Sequence, residues 1–246
     1  MRHVKEWFGE WFDSPYYHIL YQHRDENEAK AFIDKLCEHF QFDNTDHILD
    51  LACGRGRHAK YLNEKGCRVT GVDLSPKNID FARQFSNNQL DFEIGDMRDY
   101  VRPGKFTHVF NLFTSFGYFE NEEDNYKSVE SVWHSLKPGG IFLIDFLNIE
   151  KAINGLIPED IKKVDGLEFH INRTISEDGF IEKKIDFQAE DHHYSYIERV
   201  KSIGLEGFKA FFYKTGFDLK QIFGDYQLNS FNESSSDRMI LVAEKK

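Results

Sequence analysis

From residue 47 to residue 146 the chain alternates short apolar runs with longer amphipathic segments, and this rhythm constrains the fold more than any other feature. The apolar runs predict strands at residues 48–52, 68–73, 92–95, 107–113 and 140–146. The amphipathic segments predict helices at residues 57–65, from Ser75 onward, and at 122–136. Strands and helices at this spacing are typical of an α/β protein with a doubly wound parallel sheet.

The N-terminal part of the chain has a helical pattern. Trp7, Phe8, Trp11 and Phe12 recur at helical spacing, and residues 16–40 continue as an acidic helical pattern studded with Leu, Ile and Phe. We therefore expect helices before the first strand, and we assign residues 1–44 to an N-terminal helical lid. For the two tryptophans, Trp7 and Trp11, we favour packing on the sheet over a role in the lid.

After Asn148 the pattern changes to that of antiparallel strands. Residues 169–175 and 180–187 alternate apolar with polar side chains around a Glu-Asp-Gly turn, and residues 194–200 can add a third strand. This predicts a small antiparallel insertion at residues 165–202. A ribbon with one apolar face must cover something, either the mouth of the site or a partner subunit in a homodimer.

The C-terminal part is expected to return to the main sheet. The pattern predicts a helix at residues 205–215 and two strands at residues 218–228 and 238–244. Residues 45–148 and 203–246 together then form the core.

Composition limits the kinds of partner. The chain has 246 residues and a formal net charge of −11, which suits one domain with an insertion and argues against binding to a phosphate backbone. No apolar run approaches the roughly 18 residues that span a bilayer, and the N-terminus lacks the apolar core of a signal peptide. We expect a cytoplasmic protein that binds neither nucleic acid nor membrane, with its three cysteines reduced.

The first predicted strand runs into a glycine-rich turn and then into a helix. Gly54 and Gly56 permit positive φ and let a ligand approach the backbone closely. With Ala59 they fit G-x-G-x-x-A, the dinucleotide-binding fingerprint. An NAD-dependent oxidoreductase is therefore one hypothesis for the function.

Three acids end three consecutive predicted strands, and they favour a different ligand. Asp50 would repel a pyrophosphate but attract the amino group and the sulfonium of S-adenosylmethionine. Asp73, nineteen residues beyond Gly54, can accept from both ribose hydroxyls. Asp96 can accept from the adenine amino group while Met97 packs on the ring.

These motifs make the chain resemble a Rossmann-like (class I) S-adenosylmethionine-dependent methyltransferase of the small-molecule type. The resemblance rests on Asp50-Leu-Ala-Cys-Gly-Arg-Gly, Asp73-Leu-Ser-Pro, Gly95-Asp-Met, Asn111-Leu-Phe-Thr-Ser-Phe-Gly and Leu136-Lys-Pro-Gly-Gly. It implies a seven-stranded, mostly parallel sheet of order 3-2-1-4-5-7-6 with an antiparallel seventh strand. The first glycine of the family's loop is Ala52 here, a residue small enough for close approach.

The resemblance also implies a set of site residues. Tyr17, Tyr21 and Arg24 lie in a segment similar to a helix that folds over the cofactor, where they would meet its methionine carboxylate. The residues expected to bind the cofactor are Tyr17, Tyr21, Arg24, Asp50, Ala52, Cys53, Gly54, Gly56, Asp73, Leu74, Asp96, Met97 and Phe113.

The acceptor side is less defined by the sequence. The loop at residues 111–119 lacks the Asn/Asp-Pro-Pro-Tyr/Phe motif of nucleic-acid amino methylation, so we expect a small-molecule acceptor, with nitrogen and oxygen both open. Phe116 and Tyr118 are candidates for the acceptor pocket. No catalytic residue is assigned, no metal is expected, and a non-catalytic cofactor-binding protein is a further hypothesis.

Overall fold

The main sheet of the protein has seven strands. The structure is a computed structural model, and it describes residues 6–22 and 26–246. The strands of this sheet are β1 His47–Leu51, β2 Arg68–Asp73, β3 Leu90–Ile94, β4 Phe106–Asn111, β5 Leu136–Leu147, β10 Phe217–Phe223 and β11 Arg238–Lys245.

Their order is β10-β11-β5-β4-β1-β2-β3, and β11 is antiparallel to both of its neighbours. Since β10 and β11 are the sixth and seventh strands of this sheet, the predicted order 3-2-1-4-5-7-6 is confirmed. Strand β10 ends at Phe223, earlier than predicted, because Asp225 accepts the backbone N–H groups of Gln227 and Asn229 and turns the chain.

Eight α-helices accompany the strands in the described part of the chain. They are α1 Trp7–Trp11, α2 Pro15–Leu20, α3 Glu26–Phe40, α4 Arg57–Glu64, α5 Pro76–Ala82, α6 Glu122–Ser135, α7 Ile149–Asn154 and α8 Leu205–Thr215. Helix α5 begins where the sequence predicts, because the Ser75 hydroxyl accepts the backbone N–H of Asn78 at 3.0 Å.

The core lies on both faces of the sheet. Leu49 and Ile48 are adjacent in β1 and belong to different buried clusters, as expected when successive side chains point to opposite faces. One cluster joins the sheet to α6 and α8, and the other joins it to α3, α4 and α5. Both faces are therefore covered by helices, as in a doubly wound fold.

The structure divides the predicted N-terminal lid into two parts. Phe32, Ile33 and Leu36 of α3 are fully buried in the core cluster that contains Ile48. Helix α3 is therefore part of the core, while α1 and α2 pack elsewhere. Trp11 is fully buried, but it packs against Tyr196 at a ring distance of 4.6 Å and not against the main sheet.

The insertion is a separate four-stranded antiparallel sheet. Its strands are β6 Glu159–Val164, β7 Leu167–Ile175, β8 Phe180–Ala189 and β9 His192–Lys201, paired in that order. The prediction of two or three strands from residue 165 missed β6, because this edge strand is mostly exposed and lacks apolar alternation. The Asp165-Gly166 turn, with positive φ at both residues, is the hairpin signal that could have identified it.

One face of the insertion supports α1 and α2. Phe169, Ile171, Ile185 and Phe187 form a buried cluster together with Trp11 of α1 and Leu20 of α2. The apolar face that the sequence predicts is therefore covered by the N-terminal helices. In the described residues, no helix combines the length and the apolar character needed to span a membrane.

Candidate functional site

A cavity of about 620 Å³ lies at the carboxyl ends of the parallel strands. Its floor comes from the residues that follow β1, β2, β3 and β4, because the carboxyl ends of parallel strands meet at one edge of the sheet. Its roof comes from α1, α2 and the residues after α2 as far as Gln22. Small-molecule sites typically have volumes of about 300–1,000 Å³.

Most of the predicted site residues lie in the wall of this cavity. These are Tyr17, Tyr21, Asp50, Ala52, Cys53, Gly54, Asp73, Leu74, Asp96, Met97, Phe113 and Tyr118. Arg24 lies outside the described residues.

Two predicted residues are placed elsewhere. Phe116 is a core residue with 2% of its surface exposed, and its ring packs on Phe208 and Phe211 of α8. Gly56 precedes α4 with φ +79°, and a Cβ there would lie 2.6 Å from the ring of Phe92. Glycine at residue 56 is thus required for the helix to pack closely on the sheet.

The turn after β1 keeps its backbone open toward the cavity. Ala52 and Gly54 both have left-handed backbone conformations, with φ values of +64° and +55°. For a residue with a Cβ this conformation costs about 1–2 kcal/mol, and such strain is often found at ligand sites. A Cβ at Gly54 would meet no atom within 4 Å, so this position leaves open space.

The Cys53 side chain is buried, and burial raises the pKa of its thiol well above the ordinary value. A buried thiol of this kind suits packing and not nucleophilic chemistry.

Asp50 lies one residue before the end of β1 and is almost completely buried, with 1% of its surface exposed. Its Oδ2 accepts the backbone N–H of Ala59 at 3.1 Å. Burial raises the pKa of this carboxyl to about 7, the Asp73 carboxylate adds to the rise, and the bond from Ala59 opposes it. A positive charge in the cavity would favour the ionised form of Asp50.

Asp73, at the end of β2, is held by backbone donors. Its Oδ2 accepts the N–H of Gly54 at 2.8 Å, and its Oδ1 accepts the N–H of Ser75 at 2.9 Å. Burial raises the pKa of this carboxyl as well, against the effect of these two hydrogen bonds. Because a carboxylate can accept about four hydrogen bonds, Asp73 keeps capacity for a hydroxyl group of a ligand.

Asp96, which follows β3, is paired with an arginine. The Nε of Arg98 lies 3.0 Å from both carboxylate oxygens, and Nη2 lies 2.6 Å from Oδ2. The same guanidinium donates to Glu6, ahead of α1, at 2.9 and 2.8 Å. The positive charge of Arg98 is shared among Asp96, Glu6 and Asp124, and the arginine also ties the start of the roof to the floor.

The roof is held to both the floor and the insertion. Asp13, between α1 and α2, accepts a hydrogen bond from the Ser75 hydroxyl of the floor. The hydroxyl of Tyr21 donates to Glu198 of β9 at 2.6 Å. Trp11 donates its Nε1 hydrogen to the same carboxylate at 2.7 Å. The Tyr21 hydroxyl, predicted to meet the ligand, is thus bonded to the insertion in this structure.

Sequence reasoning missed several residues of the cavity wall. Phe8 and Phe12 belong to the aromatic pattern of α1, where only the tryptophans were considered. Arg57 and His58 directly follow the glycine-rich turn, and that position is the signal that could have identified them. His18 also lines the roof, and burial, with the nearby Arg55, lowers its pKa to about 4, so its imidazole is neutral at pH 7.

A buried ion pair holds the loop after β4. Asp145 is fully buried, accepts from Arg238 Nε at 2.7 Å, and accepts the backbone N–H of Phe113 at 2.8 Å. Arg238 also donates to the Thr114 hydroxyl at 2.8 Å. Phe113 and Thr114 both have positive φ, at +55° and +60°. The pair therefore stabilises a strained loop that carries Phe113 into the cavity wall, where its ring stacks on His58.

Comparison with known proteins finds a methyltransferase domain in this chain. Residues 48–140 match the family model of the methyltransferase domain. The chain is 24% identical over 184 residues to the dTDP-3-amino-3,4,6-trideoxy-alpha-D-glucopyranose N,N-dimethyltransferase of Streptomyces venezuelae, covering 72% of this chain and 77% of that protein. It is 28% identical over 241 residues to the glycine/sarcosine N-methyltransferase of Parasynechococcus marenigrum (strain WH8102), covering 91% and 78%.

Solved structures show the same fold. An S-adenosylmethionine-dependent methyltransferase from Clostridium acetobutylicum ATCC 824 superposes with a TM-score of 0.75 at 18% identity, covering 93% of this chain and 95% of that one. An amino pentose methyltransferase from Micromonospora echinaspora superposes with a TM-score of 0.69 at 19% identity, covering 95% and 98%. These relatives are methyltransferases, and none of them supports the oxidoreductase hypothesis.

The matched residues 48–140 contain the turn after β1 and the acids that end β1, β2 and β3, which are the residues that form the floor of the cavity. The chain therefore contains a methyltransferase domain, and it is an S-adenosylmethionine-dependent methyltransferase.

Proposed function

We propose that this enzyme methylates a small molecule at an amine nitrogen or a hydroxyl oxygen, and that the acceptor shares one roofed cavity with the cofactor. The observation that carries the proposal is the cavity itself, a space of about 620 Å³ between the strand ends and α1–α2. A volume of this order suits small ligands. Of the two acceptor atoms, nitrogen is favoured by the names of the relatives, which include an amino-sugar N,N-dimethyltransferase and a glycine/sarcosine N-methyltransferase.

The residues of the floor fit S-adenosylmethionine. Leu74, with 42% of its surface exposed, and Met97 offer apolar surface for the adenine ring. Asp73, oriented by the N–H groups of Gly54 and Ser75, can accept from the ribose hydroxyls. The open turn at Gly54 lets the methionine part approach the backbone. Cys53, Asp96 and Phe113 complete the proposed cofactor-binding set on the floor.

Asp50 is proposed to be the counter-charge of the cofactor. A carboxyl with a pKa of about 7 loses its proton readily when a cation approaches, so the amino or sulfonium group would be bound with a compensating negative charge. A pyrophosphate at the same place would be repelled. The electrostatics of the floor therefore support a ligand with positive charge and without phosphate.

The reaction needs alignment more than it needs a catalytic side chain. S-adenosylmethionine supplies an electrophilic methyl group on its sulfonium. The protein contributes orientation and exclusion of water, which can lower the barrier by about 7–11 kcal/mol when the reacting groups are held in line. The aromatic side chains of Phe8, Phe12 and Tyr17 in the roof, with Tyr118 of the loop after β4, are suited to keeping water away from the reacting atoms.

A matched acceptor panel tests the proposal. Pairs of sugars that differ only by an amine in place of one hydroxyl, together with glycine and a phenol, are incubated with the enzyme and the cofactor. Mass spectrometry then detects products that gain one methyl group, and formation of S-adenosylhomocysteine is followed in parallel.

We expect methyl gain on at least one amine and a much slower reaction of its hydroxyl partner. Transfer of a radiolabelled methyl group to RNA or protein in place of these compounds would contradict the small-molecule proposal. Cofactor binding without transfer to any acceptor class would favour the non-catalytic alternative.

A further inference from the structure

The insertion supports the roof of the cavity but contributes no described residue to the cavity wall. Among the described residues, all those that line the cavity come from residues 8–119, and none comes from β6–β9. The insertion instead contacts α1 and α2 through the cluster around Trp11, Leu20 and Phe187. The insertion also contacts the loop after β4, where the Lys201 N–H donates to the Gly117 carbonyl at 2.7 Å and Arg199 pairs with Glu120. The contacts with α1 and α2 are the route considered below.

Helices α1 and α2 depend on outside contacts for their position. They have five and six residues, and isolated helices of this length are not stable in water. Their place over the cavity must come from packing and from hydrogen bonds to the rest of the molecule. Trp11, at the end of α1, is fully buried against Tyr196 of β9.

One carboxylate of the insertion is bonded to both helices. Glu198 of β9 accepts the Nε1 hydrogen of Trp11 at 2.7 Å. Tyr21 is the residue after α2, and its hydroxyl lies 2.6 Å from Oε1 and 2.9 Å from Oε2 of Glu198. The Lys183 ammonium lies 3.3 Å from Oε2, and the side chains of Lys183 and Glu198 are only 15% and 17% exposed. Hydrogen bonds to a shielded, charged acceptor are among the stronger ones in proteins.

We propose that Glu198 is a positioning residue that fastens α1 and α2 over the cavity and so sets how long the cofactor stays bound. The inference rests on the proposed cofactor site, and it gives the insertion a role in cofactor retention without contact to either substrate. Lys183 pairs with Glu198, and Trp11 and Tyr21 transmit the position of Glu198 to the roof.

The test is the dissociation rate of S-adenosylhomocysteine, measured by stopped-flow displacement. Glu198→Ala should release the ligand about tenfold faster than the wild type, because two hydrogen bonds to a charged acceptor are lost. Glu198→Gln, which keeps one oxygen acceptor, should be intermediate. Glu182→Gln is the matched control, since Glu182 lies in the same sheet and its partner Arg199 retains Asp178 and Glu120.

A double-mutant cycle with Trp11→Phe separates the effect of the Trp11–Glu198 hydrogen bond on ligand release from a general loss of stability. This change removes the Nε1 donor, keeps an aromatic ring and leaves a small cavity, because Trp11 is fully buried. The cavity is present in both backgrounds, so if Trp11 acts through Glu198, Trp11→Phe should speed release less in Glu198→Ala than in the wild type. In steady-state assays the KM for the cofactor should rise while kcat changes little. Hydrogen exchange of the ligand-free protein should become faster in residues 7–22 and stay unchanged in the main sheet.

Two results would overturn the inference in distinguishable ways. Wild-type release rates in Glu198→Gln, Glu198→Ala and Trp11→Phe, with normal ligand binding, would overturn the role of Glu198 alone. Failure of the wild-type protein to bind S-adenosylhomocysteine would overturn it together with the proposed cofactor site. If Glu198→Ala does not fold, the dissociation rates of S-adenosylhomocysteine from Glu198→Gln and Trp11→Phe are compared with that of the wild type instead.

Discussion

At the scale of single residues, Asp50 is the group whose charge state we propose links the stability of the protein to cofactor binding. Its pKa is about 7 in the folded protein, because it is buried, and about 3.9 in an unfolded chain. The folded state therefore holds a proton that the unfolded state has lost between about pH 4 and pH 7. The free energy of unfolding falls across this range, because the carboxyl ionises in the unfolded chain while it stays protonated in the folded protein.

Asp50→Asn should remove this pH-dependent penalty. The amide oxygen can still accept the N–H of Ala59, so the local hydrogen bond is kept. The ligand-free variant should be more stable than the wild type at pH 8, by at most about 4 kcal/mol, and equally stable near pH 4. Thermal unfolding of both proteins at several pH values measures the difference.

The same variant should bind S-adenosylmethionine more weakly than the wild type, because the counter-charge is lost. A stability difference that does not grow with pH would contradict the buried, titrating carboxyl. Unchanged affinity for the cofactor would contradict its role as counter-charge. Gain of stability with loss of binding is the usual relation between a strained site and its function.

The acids of the site could be predicted from the sequence, but their partners could not. Asp50, Asp73 and Asp96 each follow an apolar run, and parallel topology brings such residues to one edge. The pairing of Asp96 with Arg98 depends on how the chain turns after β3, and no periodic pattern encodes that. Phe116 was misplaced for a similar reason, because a loop residue can turn either to the cavity or to the core.

At the scale of elements, the conformation of the loop after β4 depends on the buried ion pair between Asp145 of β5 and Arg238 of β11. Arg238→Met should lower the free energy of unfolding by about 3–5 kcal/mol, because it leaves the Asp145 carboxylate buried without its arginine. Combining it with Asp145→Asn should recover part of this loss. Urea unfolding of the three variants gives the values.

The control for this prediction is Lys151→Met. Lys151 forms an exposed ion pair with Asp237, the residue next to Arg238 in sequence. An exposed pair of this kind contributes about 0–1 kcal/mol, so the control should unfold nearly as the wild type does. A loss below 1 kcal/mol in Arg238→Met would show that the pair does not hold the loop as inferred.

The elements of the main sheet were predictable because each has a strong local pattern. Apolar runs and amphipathic helices alternate through β5, and Ser75 and Pro76 mark the start of α5. Strand β6 was missed because it is an exposed edge with few apolar residues. The contacts of Glu198 with Trp11 and Tyr21 span 187 and 177 residues of sequence, and such distant pairing has no local signature.

At the scale of the whole molecule, the protein is a methyltransferase core with a roof held by an insertion. The core supplies the carboxylates and the open turn, the N-terminal helices close the cavity, and the four-stranded sheet fastens these helices.

The measurement that tests this most directly is a calorimetric titration with S-adenosylmethionine, repeated with NAD. The wild type should bind the first and give no heat with the second. Asp73→Ala should weaken binding about tenfold, because the proposed acceptor of the ribose hydroxyls is lost. Asp80→Ala, which removes an exposed carboxylate of α5 and makes the same change in net charge, should bind as the wild type does. Tight binding of NAD without a response to S-adenosylmethionine, or wild-type affinity in Asp73→Ala, would contradict the proposed site.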